Sequence, residues 1–120
     1  MAGQMVHLEI PAGDTAKARE FWGGLFGWEF QAYEGSPTEY HMTRFSDTTG
    51  GAIMAAEGSD RGMRLYFDVD DINAGVSRVK ELGGEASDAM PVPGMGWFAI
   101  CTDTEGNDFG LWQTDPIAGA

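Results

Sequence analysis

Met5-Val6-His7-Leu8-Glu9-Ile10 alternates, with Val6, Leu8 and Ile10 on one face and His7 and Glu9 on the other, the period of a half-buried strand. Pro11 and Gly13 are expected to end it. Asp14 is a good helix N-cap, and Ala18, Phe21, Trp22 and Leu25 follow at helical spacing, so a helix is predicted with that stripe turned inward. Gly23-Gly24 is expected to weaken its last turn. A strand from about Trp28 to Ala32 follows, then a turn at Glu34-Gly35-Ser36-Pro37 and a strand over Tyr40-His41-Met42-Thr43-Arg44-Phe45. A polar turn through Asp47-Thr48-Thr49-Gly50 leads into Ala52-Ile53-Met54-Ala55.

Glu57-Gly58-Ser59-Asp60-Arg61-Gly62 is the most linker-like stretch, and beyond it the order is replayed. Leu65, Phe67 and Val69 alternate, Asp71 caps, and Ile72, Val76, Val79 and Leu82 mark one helical face. Strands are predicted near Ala86, at Trp97–Thr102 and at Asp108–Gln113; the two prolines of Pro91-Val92-Pro93-Gly94-Met95-Gly96 predict a loop there. The two stretches match at an offset of 57, Leu8 with Leu65, Asp14 with Asp71 and Gly27 with Gly84, continuing to Tyr40 with Trp97 and Met54 with Leu111. A repeat of this length is one supersecondary unit that buries its apolar face by pairing with its copy. The expected fold is α+β: a single domain over residues 1–120 with two tandem βαβββ modules, about 4–57 and 63–114, forming a curved mixed sheet around a cleft. His7 and Glu9 from the first module, and Arg64 and Tyr66 from the second, are expected to point into that cleft, a usual place for a small-molecule site.

Charge narrows the partners. Nineteen acidic residues against seven basic ones leave a net charge of -12. Nucleic acid is disfavoured, since its affinity comes from Lys and Arg neutralising phosphates, and so is an anionic membrane surface. The lone Cys101 cannot form an intramolecular disulfide, lies in the apolar run Trp97–Cys101, and reads as a small buried hydrophobe. With no signal-peptide pattern and no apolar stretch long enough to span a bilayer, a cytoplasmic location is expected.

Few residues carry candidate chemistry. His7 has two roles open, a general base or ligand hydrogen-bond partner, and a structural histidine satisfied by a neighbour such as Glu9. Arg64 could clamp a carboxylate or phosphate in its planar fork, or pair with Glu9 or Asp68. Tyr66 could offer its hydroxyl to a ligand or pack its ring. Of the four tryptophans, Trp22 is expected in the core and Trp28 in a structural role, while Trp97 and Trp112 suit a flat, partly apolar ligand. Met42, Met54, Met90 and Met95 would add adaptable surface. No GxSxG elbow, phosphate-binding glycine loop or CxxC is present.

The His7 strand, the Asp14-capped helix ending Phe26-Gly27-Trp28, and the closing Thr104-Glu105-Gly106-Asn107-Asp108-Phe109-Gly110-Leu111-Trp112 resemble the vicinal oxygen chelate superfamily. That superfamily includes glyoxalase I, extradiol dioxygenases and the fosfomycin- and bleomycin-resistance proteins. The resemblance implies a divalent metal held by a His in the first strand of a module and a carboxylate or amide in its last strand. Those positions fall here at His7, Arg64, Gly110 and Ile53, and only His7 can ligate through its side chain. No metal or other cofactor is therefore expected, the residual candidates for a rearranged site being His7, Glu9 and His41.

Two readings follow. One is a metal-independent small-molecule binding or sequestering protein of the bleomycin-resistance type, its ligand aromatic or cationic and its wall built from His7, Glu9, Arg64, Tyr66, Trp97 and Trp112. The other is a lyase or dioxygenase-like enzyme using His7 as acid and base or in an atypical divalent metal site. The resemblance also implies a homodimer, with modules exchanged between chains or not.

Overall fold

In the computed structural model, which describes residues 2–56 and 62–120, strands and helices follow the α+β order of two βαβββ units. Of the expected linker, only Gly62 lies within the described residues. One unit runs from His7 to Arg64; the other holds Leu65–Ala120 together with the N-terminal residues up to Val6.

The first unit contains β1 (Met5–Ala12) from His7 onward, α1 (Thr15–Phe26), β2 (Gln31–Ala32), β3 (Tyr40–Arg44) and β4 (Gly50–Ala55). β4 lies parallel to β1 and antiparallel to β3, and β2 closes the edge. β1 outlasts Pro11 by a residue, because proline removes one donor but keeps a φ compatible with extended chain. The strand expected from Trp28 is only Gln31–Ala32. Asp14 caps α1 by accepting the Lys17 N–H, and Gly27, in the left-handed region at φ 74°, ends the helix with its N–H on the Gly23 carbonyl. The Gly23-Gly24 pair does not cut the helix short. A Cβ on Gly23 would sit 3.1 Å from the Trp28 carbonyl oxygen, so a bare backbone there lets the chain fold back closely.

The stripe of α1 behaves differently from its periodicity. Phe21, Leu25 and Phe26 are 62%, 58% and 56% exposed, and Trp22 is half-buried rather than in the core. Trp22 stacks on Trp28 at 5.5 Å and on Phe26 at 6.0 Å, and Trp28 leans on Phe45. The buried apolar residues of this unit sit on strands: Ile10, Ala52, Ile53 and Met54.

The second unit has β5 (Arg64–Asp68, from Leu65 onward), α2 (Ile72–Glu81), β6 (Glu85–Ala86), β7 (Met90–Val92), β8 (Gly96–Thr102) and β9 (Asp108–Thr114). Parallel β5–β9 and antiparallel β8–β9 repeat the first unit's plan. Asp71 caps α2 with its carboxylate on the Asn73 and Ala74 N–H groups, and Gln113 Oε1 takes the Ile72 N–H. Ile72 and Val76 pack on Ala99, Cys101 and Leu111, while Leu82 lies past the end of the helix and is exposed. Cys101 is 1% exposed, and burial pushes its thiol pKa up, as suits an inert core residue.

β6 and β7 are one edge strand interrupted by a bulge. From Ala86 to Met90 the edge advances four residues while its partners retreat only three, from Cys101 to Phe98. Ser87 bridges the gap, donating its N–H to the Ile100 carbonyl and accepting the Ile100 N–H on Oγ. The loop expected from the prolines is thus partly strand, which an edge tolerates because one side of it needs no donor.

The pairing also shifts the repeat. In the first unit Glu9 pairs through Ala52 to Met42; in the second, Tyr66 pairs through Gly110 to Ile100. The counterpart of Gly110 is therefore Ala52, not Ile53, and that of Tyr40 is Phe98, not Trp97. Asp14 to Tyr40 spans 26 positions and Asp71 to Phe98 spans 27, so the offset grows from 57 to 58 before the last two strands. In a strand, one residue is the difference between faces. No helix among the described residues is long and apolar enough to cross a membrane.

Candidate functional site

In the first unit the strand register puts His7, Gly50 and Arg44 in one cross-strand row and Glu9, Ala52 and Met42 in the next. Tyr40 stands one row further on the same face, opposite Met54, and Ile10, Ile53 and Thr43 fill the other face. β1 and β3 are not neighbours; β4 runs between them, a separation of about 9–10 Å for two strand spacings. The small residues Gly50 and Ala52 leave the space above β4 open, and long side chains from either side meet across it.

The result is a continuous polar chain. His7 Nε2 lies 2.7 Å from the Tyr40 hydroxyl, which donates to Glu9 Oε2 at 2.9 Å; Glu9 Oε1 lies 3.8 Å from Arg64 Nη1. The imidazole and phenol rings are near-parallel, with centroids 6.2 Å apart. A hydroxyl has one proton, and at neutral pH a carboxylate only accepts, so the Tyr40 proton is committed to Glu9. Its oxygen must then accept from His7, which requires a proton on Nε2 and leaves the lone pair of the neutral ring on Nδ1. Burial pulls the His7 pKa below its usual value; Glu9 pulls it up and Arg44 pushes it further down. Arg44 reaches this row over Gly50, where a Cβ would come within 3.4 Å of its Nη1.

His41 sits elsewhere. It pairs with Ile53, on the helix-side face, and bonds Glu39 Oε2 at 3.2 Å, while Thr15 donates to the same oxygen at 2.9 Å. The bond from His41 first, and then that from Thr15, hold the Glu39 pKa below its ordinary value.

In the second unit, Tyr66 is 5% exposed and its ring lies over Gly110. A Cβ on Gly110 would run into Tyr66 Cδ2 and Cε2 and come 2.9 Å from Cγ, so residue 110 is glycine because a ring occupies its side-chain space. Trp112 shares that face, lying over Gly96 and donating Nε1–H to Thr114 Oγ1. Phe98 pairs with Trp112, so the helix-free face of this unit is aromatic: Tyr66, Phe98 and Trp112. Trp97 is on the opposite face, packed against the core under α2 with Nε1–H on Asp115 Oδ2 at 2.9 Å. There it lines a concavity of about 600 Å³ with Val76, Gln113, Asp70, Asp71 and Asp88. None of His7, Glu9, Tyr40 or Arg64 lines that concavity.

Of the residues singled out from sequence, the structure thus joins His7, Glu9 and Arg64, places Tyr66 and Trp112 on one face, and sets Trp97 on another. The residue missed was Tyr40, the hub of the polar chain. Its signal was present in Gly50-Gly51-Ala52, a run of small residues in the strand beside it.

These residues do not fit a divalent metal. Nε2 of His7 and one Glu9 oxygen are engaged by Tyr40, Arg64 is a cation, the Gly110 position is covered by Tyr66, and His41 is on the other face of its sheet. No group of three His, Cys, Asp or Glu among the described residues is placed to hold an ion.

Comparison with known proteins agrees with the architecture. The glyoxalase-like domain profile matches residues 5–112. A glyoxylase-like domain-containing protein of Didymella fabae is 35% identical over 116 residues, covering 88% of this chain and 89% of its own length. The anthracycline biosynthesis protein DnrV of Streptomyces peucetius is 29% identical over 139 residues, covering 98% of this chain; the match spans half of that relative. Among solved structures, a hypothetical protein from Bacillus halodurans superposes with a TM-score of 0.77 at 12% identity, over 98% of this chain and 99% of that one. Methylmalonyl-CoA epimerase from Mycobacterium tuberculosis gives 0.71 at 16% identity, over 95% and 89%. With the profile spanning both βαβββ units, this chain belongs to the glyoxalase-like domain family of the vicinal oxygen chelate superfamily.

Proposed function

We propose that this protein binds a small organic molecule without a metal, and that binding or sequestration rather than turnover is its task. One observation carries the reading: the chain His7–Tyr40–Glu9–Arg64 engages His7 Nε2 and both Glu9 oxygens within the protein, so these two side chains are committed to internal partners rather than to a metal. What remains is a preformed polar wall whose geometry is set before a ligand arrives, which lowers the ordering cost of binding. The aromatic face of Tyr66, Phe98 and Trp112 is the feature that suits a flat ring system, and the relative named for anthracycline biosynthesis supports an aromatic ligand. The ligand class, a cytoplasmic location and a homodimer belong to this proposal; the buried thiol of Cys101 suits a reducing compartment.

A second reading is favoured by the state of His7. Burial lowers its pKa and keeps the imidazole neutral at pH 7.5, the form that can act as a base toward a carbon acid, the first step of a lyase or epimerase reaction. Isothermal titration of a panel of aromatic natural products, followed by mass analysis of each mixture, separates the two. Saturable binding with the ligand recovered unchanged supports sequestration. A new product formed by wild type and lost in His7→Gln would replace the binding reading by the catalytic one, and absence of binding across the panel would end both.

A further inference from the structure

The state of Arg64 says something about the ligand that overall charge does not. Its side chain is only 12% exposed, as is that of Glu9, its nearest acid. Their closest approach, 3.8 Å, is an ion pair but too long for a hydrogen bond. Nε of Arg64 is fully covered and has no acceptor. A buried guanidinium normally has its N–H groups matched by acceptors, because stripping water from a cation without replacing its hydrogen bonds is costly. Glu9 cannot close the gap while its other oxygen holds the Tyr40 hydroxyl at 2.9 Å.

A second cation shares the neighbourhood. Arg44 occupies the same face, held to the carbonyls of Ser46 and Asp47 at 3.1 and 2.6 Å, and its charge is felt at His7. Arg64 at Glu9 and Arg44 at His7 thus bring two guanidinium groups to this polar chain, in a protein whose net charge is -12.

Resting on the binding reading above, we propose that the ligand carries a carboxylate, received by the guanidinium of Arg64. The planar fork presents parallel N–H groups to two oxygens at once, a geometry that Glu9 does not satisfy. The ligand's carboxylate accepts from the terminal Nη groups, which Glu9 at 3.8 Å leaves without a hydrogen bond, while the covered Nε stays out of reach. His7 and the Tyr40 hydroxyl then flank a bound acid, not a bound amine.

Three probes of one shape test this on the full chain: 2-naphthoate, 2-naphthylmethanol and 2-naphthylmethylamine, compared by equilibrium dialysis at pH 7.5. The acid is expected to bind wild type at least tenfold more tightly than the alcohol or the amine. The overall negative charge works against that order, so such a preference can only be local. Arg64→Lys, which keeps the charge and loses the fork, is expected to remove most of the preference of the acid over the alcohol. If the alcohol or amine binds wild type as tightly as the acid, the carboxylate inference is overturned and the binding reading stands, a comparison that needs no variant to fold. Full acid preference retained in Arg64→Lys overturns it as well. If none of the three binds, the binding reading falls and takes this inference with it.

Discussion

Replacing Tyr40 with Phe removes one oxygen atom and two hydrogen bonds, and leaves the ring stacked near His7. The bond from His7 Nε2, at 2.7 Å, is a neutral one of about 1 kcal/mol; the bond to Glu9, at 2.9 Å, has a charged acceptor and contributes roughly 1.5–3 kcal/mol. Both are part-buried, and phenylalanine leaves an imidazole N–H and a carboxylate oxygen facing a ring edge. The expected loss is about 2.5–4 kcal/mol. With a urea slope of about 1.5 kcal/mol per molar for a chain of this size, the unfolding midpoint falls by roughly 1.7–2.7 M. The same substitution frees the tautomer. Nitrogen chemical shifts of His7 should show Nε2 protonated in wild type at pH 7.5 and a mixture of tautomers in Tyr40→Phe. A midpoint shift below about 0.3 M together with unchanged His7 nitrogen shifts would refute the relay as drawn.

Three further outcomes follow from the same geometry. Because burial lowers the His7 pKa in the folded chain, the unfolded chain takes up that proton first as pH falls below about 6.5. Stability should therefore be full above that value and decline on acidification until the folded pKa is passed; urea midpoints at pH 7.5, 6.5 and 5.5 should show the decline, and His7→Gln should flatten it. Gly110→Ala places a methyl group in the ring of Tyr66 and should cost about 1–3 kcal/mol. Adding Tyr66→Ala should abolish that increment, and additive losses in thermal melts would contradict the packing described. Asp71→Ala should cost about 1–2 kcal/mol and Asp14→Ala about half as much, since Asp71 receives two backbone N–H groups and Asp14 one; equal melting shifts would contradict this.

The caps, the repeat and the burial of Cys101 could be read from sequence because each depends on neighbours in the chain. Asp14 and Asp71 need only the amides two or three residues on, and β1 declares its faces by alternation. Tyr40 could not be read that way. Its meeting with Glu9, 31 residues away, depends on the register of two ladders and on a strand of small residues between them. The repeat itself misled at its far end: an offset of 57 pairs Tyr40 with Trp97, while the ladders pair it with Phe98, and a slip of one residue sent Trp97 to the core side. The α1 stripe misled for another reason. Helical spacing shows that apolar residues share a face, but whether that face is covered depends on what packs there; Phe21 and Leu25 remain open.

The ends of the strand ladders have a consequence for the protein in a crowded solution. In the first unit the outermost strand is two residues long; in the second it is broken at Ser87 and contains Pro91. An incoming chain seeking to extend either sheet would find a short row of donors in one and an interrupted row, with one donor missing, in the other. Strand addition at these two edges is thereby denied a good template. Contact between molecules is left to side-chain surfaces such as the aromatic face of α1, where association is reversible and set by concentration rather than propagated along a backbone.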